Sequence, residues 1–365
     1  MQKIPPKKVF YAVLNMGLGH ATRSLPLIRE FQRKQWQVVI GCSGRSLLFL
    51  KKEVPGARFV ELPDYRLEHS EKGVELARFL GRVPGLLGTI ARERRTVEEI
   101  VQDDEIDLVV SDHRYGCYSD VVPSFFLSHQ LKLIAPPLLR PFEPVGIGFN
   151  RWFHGRYRHV IIPDIVNGNE GLLSGRLSRI RSGEGRYHFP GILSSISRRE
   201  GVEEDIDLLV SISGPEPQRT VLEQIIRSQI GEVPGRRVVA LGRPESEEIE
   251  YPESGLEIHH HLDRKQMEEY FNRSRLIVAR SGYSTLMELA EVGKKALFVP
   301  TPGQTEQMYL ARRFQRMEWF HAVSQQELDL ARDTRIAVSY PGLPRRFSTA
   351  ETIENIFPLL TGSAL

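Results

Sequence analysis

Short runs of apolar, β-branched residues recur along this chain at intervals long enough to hold a helix. In the first half they are Val9–Leu14, Val38–Gly41, Leu108–Ser111 and Ser124–Leu127; in the second, Leu208–Ile212, Val238–Leu241, Leu276–Ala279 and Ala296–Val299. A strand that is apolar on both faces has to be covered on both, and helix-length connections between such strands demand a parallel order built from βαβ units. The expected class is therefore α/β. The chain has 365 residues, and at about 150 residues per domain the runs divide between two domains, each large enough to bury a core.

The expected boundaries follow from composition. Residues 167–191, rich in Gly, Ser and Arg and without sustained periodicity, are predicted as a linker between domains at 1–166 and 192–345. Residues 346–365 are predicted as a helix that starts at Ser348 or Thr349. Its apolar Ile353, Ile356 and Phe357 suit it to pack back across the domains.

Each domain opens with a strand that runs into a glycine-containing turn. The first such turn, "NMGLGHAT" (Asn15–Thr22), places Gly17 and Gly19 as a dinucleotide fingerprint would. Thr22 takes the third glycine position, however, and the second strand ends "VVIGCSG" without the acid that binds a ribose, so a nicotinamide cofactor is not expected. What remains is a tight turn that brings His20 to the edge of the sheet where open α/β folds bind ligands. The plain alternative is a helix-capping histidine.

A second strand, "IDLVVSDHRYG", delivers Asp112 and His113 to the same edge. A carboxylate beside an imidazole is the orienter-and-base pairing of acid–base chemistry, although Asp112 could equally cap a turn.

In the second half, the strand ending at Ala279 feeds Arg280-Ser281-Gly282 and then a helix. The N–H groups and positive dipole end of that helix suit a phosphate, with Arg280 as a fixed cation and the Ser213-Gly214 turn approaching from another strand end. Thr285 and Glu288 have the spacing of a capping box; the other reading of Glu288 is a carboxylate that accepts two ribose hydroxyls. Gln304, Glu306 and Gln307, on the loop after "ALFVP", suit either a sugar's hydroxyls or plain solvation.

These residues resemble a known pattern. "RSGYSTLME" followed at loop distance by "EQ" looks like the donor signature of GT-B glycosyltransferases, of both the family 28 and the plant nucleotide-sugar types. "GLGHATRSLPLI" is similar to the Gly-His motif at their N-terminus. The resemblance implies two Rossmann-like domains, parallel sheets facing an interdomain cleft, the acceptor in the first domain and a nucleotide sugar in the second.

It also implies roles, residue by residue. His20 is the catalytic base and Asp112 its partner, while Arg280 takes the phosphate-contacting position. Glu288 holds the ribose, and Glu306 and Gln307 hold sugar hydroxyls. Backbone near Leu262 reads the base, and Gly17, Gly19, His113, Arg114 and His129 fall on the acceptor side. UDP is the implied carrier, as part of the substrate, with no resident cofactor. The narrower likeness is to uncharacterised bacterial and archaeal proteins of family 28. Where the peptidoglycan N-acetylglucosaminyl transferase carries His-Glu-Gln-Asn in its acceptor loop, this chain has Ser128-His129-Gln130-Leu131, which leaves the acceptor, lipid-linked or glycan, unnamed. A nucleotide-sugar epimerase would turn over donor without acceptor, and a non-catalytic nucleotide-sugar binder would gain nothing from His20 and Asp112.

Composition narrows the remaining classes. A net charge of +3 gives no electrostatic footprint for general nucleic-acid binding. Cys42 and Cys117 do not make a secreted disulfide framework, and the first apolar run is too short for a signal-peptide core, so a cytoplasmic setting is expected. No apolar run approaches about 18 residues. Ala77–Arg95 mixes Phe79, Leu80, Leu86, Leu87 and Ile90 with Arg78, Arg82, Arg92, Arg94 and Arg95, which fits either peripheral contact with an anionic membrane or a core helix with a basic face. His259–His261 is expected to be solvated, lacking acid or cysteine at ligand spacing. Asp205 and Asp207 lie at the wrong end of their strand for a metal-binding role.

Overall fold

The computed structural model describes residues 7–65, 76–132, 143–180, 185–344 and 347–362, with 76–83 as backbone only. The chain separates into two compact units, one made of Met1–Leu193 with Ser348–Leu365, the other of Ser194–Phe347.

The first unit holds β1 (Lys8–Val13), α1 (Gly19–Arg33), β2 (Gln37–Cys42), α2 (Gly44–Glu53), β3 (Arg58–Glu61), α3 (Leu76–Asp103), β4 (Leu108–Asp112), β5 (Ser124–Leu127), α4 (Glu143–His154) and β6 (His159–Ile161). A hairpin of β7 (Val166–Asn167) and β8 (Glu170–Gly171) follows, then β9 (Tyr187–His188). Among the described residues one seven-stranded parallel sheet runs β3-β2-β1-β4-β5-β6-β9.

Alternate residues of β1 explain why the runs are apolar throughout. Val9, Tyr11 and Val13 join the core that includes Leu25, Ile28 and Phe31 of α1. Phe10 and Ala12 join Val97, Ile100 and Val101 of α3 on the other face. Because successive strand side chains point to opposite faces, a strand sandwiched between helix layers needs both sets apolar.

The second unit holds β10 (Ile206–Ser211), α5 (Gln218–Gln229), β11 (Arg237–Ala240), β12 (Ile249–Glu253), β13 (Leu256–His259), α6 (Arg264–Arg273), β14 (Ser274–Ala279), α7 (Tyr283–Val292), β15 (Lys295–Phe298), α8 (Thr305–Arg316), β16 (His321–Ala322) and α9 (Leu330–Val338). Its sheet, again seven-stranded among the described residues, runs β12-β13-β11-β10-β14-β15-β16, with β12 antiparallel to β13. Leu208, Val210 and Ile212 bury against Leu222 and Ile226 of α5 and Leu330 and Ala337 of α9.

Residues 167–191 depart from the linker expectation, since the first unit runs to Leu193. Tyr187–His188 adds the last strand of the first sheet by pairing with β6. The buried carboxylate of Asp164 accepts the N–H groups of Ile165, Leu173 and Ser174 at 2.7, 3.0 and 2.7 Å, and the Ser174 hydroxyl at 2.6 Å. A sequence rich in Gly and Ser is thus knitted down by one acid supplied from just outside it.

The final helix, α10 (Thr349–Thr361), belongs to the first unit. Ser348 caps it through the Glu351 N–H, Phe357 meets Phe31 at 5.1 Å between ring centroids, and Ile356 and Leu360 complete the core on the α1 side. Full burial of a side chain such as Ile356 contributes about 1.5–3 kcal/mol.

Candidate active site

Ligands of open α/β sheets bind beyond the carboxyl ends of the strands where the strand order reverses. In the first unit that point lies between β1 and β4, whose last residues, Val13 and Asp112, are in register. The chain leaves β1 through a turn with Gly17 at φ 70°, a left-handed conformation that favours glycine. A Cβ there would meet nothing within 4 Å, so the backbone angle is the constraint at this position. Gly19 opens α1, His20 follows, and Arg23 and Ser24 lie one turn further along, on the same side of the helix.

Asp112 is fully buried, and its carboxylate has four polar contacts from three residues. His20 Nδ1 lies 2.8 Å from Oδ1, Arg23 Nε donates to Oδ2 at 2.8 Å, Arg23 Nη2 donates to Oδ1, and the Ser24 hydroxyl donates to Oδ2 at 2.8 Å. Burial alone would raise this carboxyl, but Arg23 and His20 outweigh it and hold it well below the usual carboxylate range. Burial, followed by the Arg23 guanidinium, pushes His20 below its ordinary value against the opposing pull of Asp112. A neutral imidazole oriented by a carboxylate is a competent proton acceptor near neutral pH. Asp112 is therefore not a free turn cap, and it sits at the strand's end rather than in the loop.

His129 joins the cluster, with its Nδ1 2.6 Å from Arg23 Nη1. The His113 ring lies 5.6 Å from that of His20, and its Nδ1 is 2.8 Å from the Ser128 hydroxyl. Burial first, then the nearby His20, depresses its basicity. Sequence reasoning missed Arg23 and Ser24, although their i+3 and i+4 spacing from His20 on a helix was the available signal.

Arg114, expected on the acceptor side, has its guanidinium engaged by protein groups. It is fully buried: Nε donates to Glu93 Oε1 at 2.6 Å, Nη1 to the Val13 carbonyl at 3.2 Å, and Nη2 to the Pro63 carbonyl. Tyr65 donates to the other Glu93 oxygen at 2.5 Å. β4 ends at Asp112, and the chain turns at His113, whose φ is 60°, before Arg114 enters the core.

In the second unit the order reverses between β10 and β14. The Ser213-Gly214 turn follows β10, with Gly214 at φ 117°. Arg280-Ser281-Gly282 follows β14. The N-cap of α7 is Gly282 and no side chain caps it, whereas α6 is closed by a full capping box from Asp263 and Gln266. The first N–H groups of α7 thus lack the side-chain acceptor that α6 has, which suits an anion.

With Gly282 as N-cap, Thr285 and Glu288 lie inside the helix, so the capping-box reading of this pair falls. The hydrogen bond formed by the Glu288 carboxylate is from the Ser195 hydroxyl at 3.4 Å, and burial pushes its carboxyl up to about 7, which that hydroxyl opposes.

The Arg280 side chain is buried. Its guanidinium donates to the carbonyls of Ser213, Val299, Pro300 and Gln218 and to Gln325 Oε1 at 2.7 Å. It ties the ends of β10, β14 and β15 and the start of α5 together, since a planar fork with five donors suits converging carbonyls. Burial lowers it to about 10.

Glu306 and Gln307 lie in the first turn of α8, whose N-cap is Gln304, and not on a loop. Gln307 Oε1 accepts the Thr301 N–H at 2.8 Å, and the Ser281 hydroxyl donates to the Gln307 carbonyl at 2.8 Å. The starts of α7 and α8 are thereby joined. The Leu262 side chain is buried beyond β13.

Comparison with known proteins agrees with this architecture. Residues 228–334 match the glycosyltransferase family 28 C-terminal domain. No curated protein matches the chain. Among solved structures, MurG of Acinetobacter baumannii aligns with a TM-score of 0.60 and 13% identity over 98% of this chain and 100% of its own. The calicheamicin glycosyltransferase CalG4 gives 0.63 and 15% over 99% and 95%. The Streptomyces sp. SF2575 glycosyltransferase SsfS6, complexed with thymidine diphosphate, gives 0.59 and 15% over 98% and 100%. The chain has the GT-B fold of these structures, and most of its second unit is similar to the family 28 C-terminal domain.

The other sequence features make packing and ion-pair contacts. His260 Nε2 lies 2.8 Å from Glu250 and His259 Nε2 3.3 Å from Glu257; both imidazoles are buried, while His260 and the half-buried His261 lie in the loop after β13. Asp205 pairs with Arg236 and Arg273, and Asp207 with Arg275. No group of three or more potential metal ligands occurs among the described residues.

In α3, Ile90 and Leu86 pack with Phe149 and Phe153, and Arg94 stacks on Tyr118 at 4.4 Å and pairs with Asp120. Leu87 of the same helix is exposed, and Arg78, Phe79, Leu80 and Arg82 have side chains outside the described residues. Among the described residues, no helix is long and apolar enough to cross a membrane.

Proposed function

We propose that this protein is a glycosyltransferase that moves a sugar from a nucleoside-diphosphate sugar to an acceptor hydroxyl, with inversion and without a metal ion. The observation that carries the reading is the His20–Asp112 pair at the strand-order reversal of the first unit. Asp112 accepts the Nδ1 proton of His20, leaving Nε2 to take the acceptor's proton as its oxygen attacks the anomeric carbon. The bond to the diphosphate breaks on the opposite face, and the proton stays on His20.

The leaving diphosphate is received by the N-terminus of α7 and the Ser213-Gly214 turn, with Arg280 contributing through the backbone it holds. Glu288 takes the ribose, and Glu306 and Gln307 the hexose. UDP is the carrier suggested by the signature, and the thymidine diphosphate bound by SsfS6 makes TDP the alternative to test. The buried free thiols Cys42 and Cys117 fit a reducing cytoplasm.

Turnover in this reading persists in excess EDTA. Loss of activity on chelation, restored by Mg²⁺ or Mn²⁺, overturns the proposed leaving-group stabilisation.

The Glu288 assignment gives a titration test. A carboxyl raised to about 7 in the folded protein binds a proton that the unfolded chain releases near its ordinary value of about 4.3. Its contribution therefore favours the fold at low pH and is lost as pH rises through about 7. Ribose hydroxyls donate to the carboxylate, so nucleotide binding near neutrality expels that proton.

Calorimetry with UDP and TDP in buffers of different ionisation enthalpy is expected to show more proton release for the wild type than for Glu288→Gln. The diphosphate's own titration is common to both proteins. Losing a charged hydrogen bond of roughly 1.5–3 kcal/mol weakens the variant's binding by about ten- to a hundredfold. Equal affinity and equal proton count in the two proteins would remove Glu288 from the donor site.

A further inference from the structure

Asp112 does not belong to His20 alone. Arg23 takes both of its oxygens, through Nε at 2.8 Å and through Nη2, while Nη2 also lies 2.8 Å from His20 Nδ1 and Nη1 lies 2.6 Å from His129 Nδ1. Arg23 is 3% exposed and Asp112 0%, so these groups interact where water screens little.

An arginine N–H only donates. His129 Nδ1 must therefore accept, which places that ring's proton on Nε2. At His20 the same nitrogen faces a donor and an acceptor at equal distance, and the two arrangements exclude each other. With Nδ1–H toward Asp112, Nε2 keeps its lone pair and can take a proton; with Nδ1 accepting from Arg23, Nε2 carries a hydrogen and cannot. A hydrogen bond to a carboxylate is the stronger of the two. Arg23 Nη2 already has Asp112 Oδ1 as its acceptor.

We propose that Arg23 is a positioning residue for the His20 base: by sharing Asp112 it lets the carboxylate orient the imidazole without turning it into an imidazolium. This rests on the reading of His20 as base given above.

The groups that face His20 are consistent with this role. Arg23 and Ser24 come from α1, Asp112 from the end of β4, His113 from the residue after it, and His129 from the loop after β5. Asp112 is the one anion in that set. With it neutralised by Arg23, a proton arriving on His20 would add an uncompensated charge to a buried cluster, in keeping with the direction in which burial and Arg23 move this histidine. Without Arg23, Asp112 and His20 would form a buried ion pair.

The test uses the intact chain with ¹⁵N-labelled histidine, and its nitrogen spectra are followed against pH, with His20 assigned by its disappearance in His20→Gln. Wild type is expected to show His20 as the Nδ1–H tautomer, titrating below the ordinary histidine range. In Arg23→Met the midpoint is expected to rise by about one unit or more, as removal of a neighbouring like charge requires.

An Nε2–H tautomer at His20 in the wild type, or a midpoint that does not move in a folded Arg23→Met, overturns the proposal. Should that variant not fold, Arg23→Lys keeps the charge but cannot span both Asp112 oxygens. A smaller upward shift supports the shared-carboxylate geometry, and an unchanged tautomer and midpoint overturn it. Because this readout needs no turnover, it is separate from the base assignment, which stands or falls on the activity of His20→Ala.

Discussion

Replacement of His20 by alanine is expected to lower turnover by about 10²- to 10⁴-fold, the usual contribution of a positioned general base, while nucleoside-diphosphate affinity stays at the wild-type value. Stability is expected to change little, because Asp112 keeps the Arg23 and Ser24 bonds that satisfy its buried carboxylate. Steady-state turnover of a nucleotide sugar beside calorimetric binding of the free diphosphate separates the two quantities. Turnover equal to the wild type's would move the proton transfer to another imidazole. His113 and His129 are the neighbours to test next, although each already spends Nδ1 on Ser128 or Arg23.

Arg114→Ala is expected to show the opposite profile, a large loss of stability with no selective effect on acceptor. The variant strands the Glu93 carboxylate, which is 0% exposed, and leaves the carbonyls of Val13 and Pro63 without their donor. Removing one partner of a buried ion pair costs about 3–5 kcal/mol. Glu93 already lies above its ordinary value through burial, with Arg114 as the main opposing influence. It would then titrate towards its neutral form, which limits the damage without removing it. Denaturant unfolding is the measurement. A stable Arg114→Ala protein with a raised acceptor KM would restore Arg114 to the acceptor site.

The strands were legible because burial on both faces writes itself into local composition. Each of the runs from Val9 to Val299 became a central parallel strand, displaced by a residue or two at its ends. Strands at or near the sheet margins, such as Arg58–Glu61 and Tyr187–His188, were not legible. A short strand exposed on one side carries no continuous apolar run, and its pairing is decided by its neighbour. The segment at 167–191 shows the same limit: its Gly and Ser content favours turns, and Asp164, just outside the segment, supplies the acceptors that fix those turns in place.

The sequence by itself determined the βαβ order, and with it the delivery of His20, Asp112, Gly214 and Gly282 to the carboxyl ends of their strands. Connectivity forces every strand-to-helix turn to that edge. Only the tertiary structure decided which neighbours at the edge face outward. His20 and Asp112 meet across 92 residues, Arg114 turns into the core two positions from Asp112, and Arg280 spends its guanidinium on carbonyls beyond two other strand ends and at the start of α5. The physical reason is that a charged side chain's role depends on which partners lie within about 3 Å once water has been removed. Those partners come from distant segments whose spacing along the chain leaves no periodic signal.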